Sequence, residues 1–85
     1  MEEFYRAIEE RIAASGYPQP VSGESIYSDI CDRIEDKEPG EYILLSKPLD
    51  DTTYEYHITV YEENFNLGIM VITCPSGSYT IDFDA

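Results

Sequence analysis

"TTYEYHITVYE", residues Thr52 to Glu62, decides the fold. Tyr54, Tyr56, Ile58 and Val60 share one parity and Glu55, His57, Thr59 and Tyr61 the other, which is the repeat of a strand with one face in a core. Three neighbouring stretches have the same extended character. "EYILLSK" (Glu41 to Lys47) is closed by Pro48 and the turn-prone Asp50-Asp51. "FNLGIMVITC" spans Phe65 to Cys74, and "YTIDF" places Tyr79, Ile81 and Phe83 inward. Between them "CPSGS" matches a type I turn, with Pro75 at its second position and Gly77 at its fourth. Connections this short favour an antiparallel meander.

Ahead of Gly40 the period is helical. Phe4, Tyr5, Ile8 and Ile12 recur on one face of a helix over Glu2 to Ala14, which Ser15-Gly16 stops. "YPQPVSG" is an extended connector, because each proline biases its predecessor away from helical angles. A second helix starts near Ser22 or Ser25, carries the stripe Ile26, Tyr27, Ile30, Cys31 and Ile34, and ends at Pro39-Gly40. The expected class is α+β, in the order ααββββ, with two N-terminal helices packed on one face of a four-stranded antiparallel meander.

Eighty-five residues make a single domain, 1–85, because so short a chain has too little apolar material for two cores. The formal charge is -13, from 18 acids against 5 bases. That balance excludes direct binding to nucleic acid or to an anionic membrane, since Arg6, Arg11, Arg33, Lys37 and Lys47 are scattered among acids. "MEEFYRAIEE" is acidic where a secretory signal is basic, no stretch reaches the length of a membrane span, and a cytoplasmic location is expected. Cys31 and Cys74 form no CxxC and have no histidine at metal-ligand spacing, so they are expected as small buried thiols, with a disulfide as the alternative.

Two strands fail to alternate. In the first, both Tyr42/Leu44 and Ile43/Leu45 are apolar; in the third, both Leu67/Ile69/Val71 and Met70/Ile72 are. Some of these side chains must point away from the helices, and an apolar second face is the mark of an interface. Tyr42, Leu44, Tyr61, Met70 and Ile72 are the expected partner-binding residues there, unless a helix or the Tyr17–Val21 connector covers them. "DICDRIEDKEPGE" (Asp29 to Glu41) adds an acidic stripe of Asp29, Asp32 and Asp36. Its simplest reading is a solvated helix face; its functional readings are a docking site for a basic partner and a thin imitation of nucleic acid.

Nothing points to catalysis. His57 is the only histidine and has no nucleophile in its sequence context. Asp50-Asp51 and Asp82-Phe83-Asp84 match no calcium-loop spacing, and glycine-rich phosphate loops, GxSxG and HExxH are absent. No cofactor or metal is expected. The ααββββ order and acidic balance are common to many small bacterial and phage accessory proteins and select none. The expected function is a non-enzymatic protein-binding module of inhibitor, immunity or regulatory type, with another, possibly basic, protein as its partner. A self-associating structural homodimer and an acidic nucleic-acid mimic are the alternatives.

Overall fold

A computed structural model describes residues 2–84 of the chain. Two helices, α1 (Glu2–Ala14) and α2 (Gly23–Ile34), precede four strands, β1 (Gly40–Leu49), β2 (Thr52–Val60), β3 (Phe65–Cys74) and β4 (Gly77–Asp82). The chain forms two compact units, a helical one up to Lys37 and a sheet from Glu38 onward. The α+β class, the element order and the antiparallel meander agree with the reading of the sequence.

In the helical unit, Glu2 and Glu3 sit in the first turn of α1 and Arg11 in its last, each complementing the helix dipole. Gly16, at φ 96, turns the chain out of the helix. Ser22 caps α2, its Oγ accepting from the Ser25 N–H at 3.2 Å. The Glu9 carboxylate also reaches this end, accepting from the Gly23 N–H at 2.8 Å. At Gly23 the helices come into close backbone contact, since a Cβ built there would lie 2.2 Å from the Tyr5 carbonyl oxygen. Tyr27 packs edge-on against Phe4 and Tyr5, with ring centroids 5.4 and 5.7 Å apart. Ile8, Ile12, Tyr17, Ile26 and Ile30 are buried. The second helix ends at Ile34 rather than at Pro39-Gly40, and the Lys37 N–H closes a turn on the Ile34 carbonyl at 3.0 Å.

The sheet has the order β1-β2-β3-β4, with every neighbouring pair antiparallel. Contrary to expectation, β1 runs through Pro48 to Leu49, with a register shift between Ser46 and Leu49. An edge strand tolerates proline because the missing N–H is not needed by a neighbour. The link between β3 and β4 is Pro75-Ser76, after which Gly77 adopts φ 133. Directly opposed residues share a face. Tyr56, Ile58 and Val60 of β2, Leu67, Met70 and Ile72 of β3 and Ile81 of β4 are therefore one buried face. Ile43, Leu45, Glu55, His57, Ile69 and Val71 belong to the other.

Candidate functional site

The faces of β1 and β3 are the reverse of the expected ones. Tyr42 opposes Ile58 and Leu44 opposes Tyr56, so both side chains turn to the buried face, where each is half-buried. Met70 and Ile72 are each 0% exposed. Tyr61 lies past the end of β2 in the turn, exposed, with its N–H donating to the Asn64 carbonyl at 2.8 Å. Asp29 and Asp32 lie on α2, but Asp36 lies beyond its end, so the three-residue stripe does not form. Asp29 accepts from Arg33 Nε at 3.0 Å, a pair within the helix.

The cause in β3 is a bulge. His57 opposes Ile69 while the next residue, Ile58, opposes Leu67, which leaves Gly68 as an extra residue. Leu67 and Met70, three apart, consequently share the buried face, while Ile69 and Val71 turn outward. A glycine inside a strand signals such a bulge. In β1 both parities are apolar, so alternation alone does not select a face.

The outward face is read off the register as cross-strand rows. One row is Glu41, Thr59, Asn66; the next is Ile43, His57, Ile69, Asp82; the third is Leu45, Glu55, Val71, Thr80. Ile43 and Leu45 are 62% and 59% exposed. With the half-exposed Ile69 and Val71 they form the apolar part of this face. His57 Nε2 lies 2.6 Å from Glu55 Oε2, which turns the imidazole along β2 toward the third row.

Over the bulge the chain after β4 folds back. The Phe83 N–H donates to the Gly68 carbonyl at 2.8 Å, and the Asn66 amide donates to Asp84 Oδ1 at 3.4 Å. The Asp84 carboxylate thereby stands above Gly68, its Oδ2 3.0 Å from where a Cβ would lie. An open cavity of about 460 Å³ results. Ile43, Gly68 and Ile69 line it together with the polar residues Glu41, His57, Thr59, Asn66 and Asp84.

No family model, curated protein or solved structure matches the chain. Its chemistry is thus read from its own residues.

Among the described residues no group of three or more His, Cys, Asp or Glu side chains is placed to hold a metal ion. No described helix is long and apolar enough to cross a membrane. Cys31 and Cys74 are free thiols. Cys74 Sγ lies 3.1 Å from Ser76 Oγ, which in turn lies 3.1 Å from the Tyr79 hydroxyl. The neighbouring Cys31, by hydrogen bonding and charge, then burial and Tyr5, holds the Tyr27 phenol above its ordinary value. What the outward sheet face offers is apolar area beside carboxylates, an arrangement suited to recognition.

Proposed function

We propose that the protein is a non-enzymatic protein-binding module, cytoplasmic, which docks a basic protein on the outward face of its sheet. The observation that carries this reading is the adjacent exposure of Ile43 and Leu45 on edge strand β1, backed by Ile69 and Val71 on the same face. Single exposed apolar residues are ordinary, but neighbouring ones on a flat face make a contact surface. The formal charge of -13 supports a basic partner, because complementary charge speeds encounter and suppresses wrong partners. Free thiols support a reducing compartment. An inhibitor, immunity-type or regulatory role fits a small acidic binder of this kind.

The test is capture of interacting proteins by three forms of the chain: wild type, the double variant Ile43→Glu/Leu45→Glu, and Asp29→Asn/Asp32→Asn. The proposal expects a basic protein that is held by the wild type and by the α2 variant and lost by the β1 variant, with all three giving the same thermal transition. Retention by the β1 variant rejects the outward face. The self-associating homodimer uses the same face and is separated by sedimentation of the purified chain. A dimer that the β1 variant dissolves replaces the basic partner with a second copy.

A further inference from the structure

The cavity above Gly68 has lining of two kinds. Ile43 and Ile69 give it aliphatic lining, and at Gly68 the Asp84 carboxylate comes within 3.0 Å of where a Cβ would lie. Its polar lining comes from the carboxylates of Glu41 and Asp84, the amide of Asn66, Thr59 and His57, and no Lys or Arg is among the described residues lining it. At about 460 Å³ it falls in the size range of small-ligand sites, roughly 300–1,000 Å³.

We propose that this cavity receives an arginine side chain of the basic partner, its aliphatic stem on Ile43 and Ile69 and its guanidinium against Asp84 above Gly68. The inference rests on the reading of the outward face as a docking surface. Charge complementarity selects a cation: Glu55 and Asp82 stand in the rows beside the lining carboxylates, and the imidazole of His57 already points to Glu55. Shape and hydration select arginine over lysine. A guanidinium is flat, weakly hydrated and presents five donors, whereas an ammonium is a compact and strongly hydrated point charge. The Asp84 side chain is exposed, and a carboxylate offers two oxygens that a guanidinium can meet as a pair. The missing side chain of Gly68 lets the Asp84 carboxylate approach the sheet there, and an alanine Cβ would press against Asp84 Oδ2 at 3.0 Å.

The experiment is an amide NMR titration of the whole chain with three capped tripeptides, Gly-Arg-Gly, Gly-Lys-Gly and Gly-Gln-Gly, at low ionic strength. The arginine peptide is expected to give saturable shifts at Asn66, Gly68 and Asp84, the lysine peptide weaker ones, and the glutamine peptide none. Asp84→Asn, an exposed position, should weaken the arginine peptide about fivefold, the worth of one exposed ion pair. Gly68→Ala should weaken it as well, with Asp84→Asn deciding if that variant fails to fold. Equal binding of the lysine peptide, unchanged affinity of Asp84→Asn, or shifts centred on Asp29 and Asp32 of α2 would each overturn the assignment. The two readings fail separately. A partner lost on Ile43→Glu/Leu45→Glu without any arginine-peptide binding removes only the arginine, while a partner retained by that variant removes the docking face whatever the peptides do.

Discussion

Gly23 is the residue on which the helical unit turns. Its missing side chain lets α2 begin against the backbone of α1, and the Glu9 carboxylate then satisfies its N–H at 2.8 Å. A Cβ would lie 2.2 Å from the Tyr5 carbonyl oxygen and 2.7 Å from two further backbone atoms of that residue. Backbone does not yield as the tip of a flexible side chain does, so the helices must separate to admit even a methyl group. Alanine is ordinarily the better helix former by about 1 kcal/mol. Here overpacking outweighs that gain, and Gly23→Ala is expected to destabilise the chain by about 1–3 kcal/mol. Urea denaturation followed by far-UV circular dichroism reads the change as a lower midpoint. A midpoint equal to or above the wild type's would show that the close approach at Tyr5 does not exist in solution.

At the scale of elements, the assignment of sheet faces is the result with the sharpest consequence. Met70 is 0% exposed and Ile43 62%, although both belong to strands in which either parity is apolar. Met70→Ala should therefore cost about 2–5 kcal/mol, the loss of a buried side chain plus its cavity. Ile43→Ser should stay within about 0.5 kcal/mol of wild type, as exposed substitutions do. Denaturant midpoints at equal slope separate these outcomes, and a large cost at Ile43 with none at Met70 would invert the faces. The same elements show what the sequence makes legible. The helices and strands follow from their periods: α1 ends at Ala14, and β3 spans Phe65 to Cys74, as the residues imply. In β2, polar residues alternate with apolar ones, and its faces are correspondingly the expected ones. In β1 and β3 they do not, and the decision passes to cross-strand register and to one extra residue at Gly68, both of which are non-local. The cavity depends on the chain after β4 returning over the bulge, a contact between positions 68 and 84 that no local pattern encodes. The sequence marks Ile43 and Leu45 as apolar, and their exposure follows only from the cross-strand register.

For the whole molecule the governing quantity is charge. Five bases cannot neutralise 18 acids, and even if each base met one carboxylate, thirteen would remain uncompensated, the formal charge of -13. Confining them in 85 residues raises the energy of the folded state relative to the expanded chain. Added sodium chloride shortens the Debye length from about 30 Å at 0.01 M to about 8 Å at 0.15 M, less than the width of a small domain. Thermal stability is therefore expected to rise over that range. Relief of about 1 kcal/mol of self-repulsion corresponds to a Tm higher by about 4–8 °C for a chain of this size. Association with a basic partner must respond in the opposite sense, because the same screening removes the attraction that steers encounter. On the proposed docking reading the on-rate should fall with salt while the off-rate changes less, since the apolar contacts of Ile43 and Leu45 are not screened. One salt series followed by calorimetry and by binding kinetics thus tests both consequences of the same charge. A Tm that falls as salt is added would mean that local ion pairs such as Asp29–Arg33 outweigh the net repulsion, and the acidic balance would then lose its role in choosing a partner.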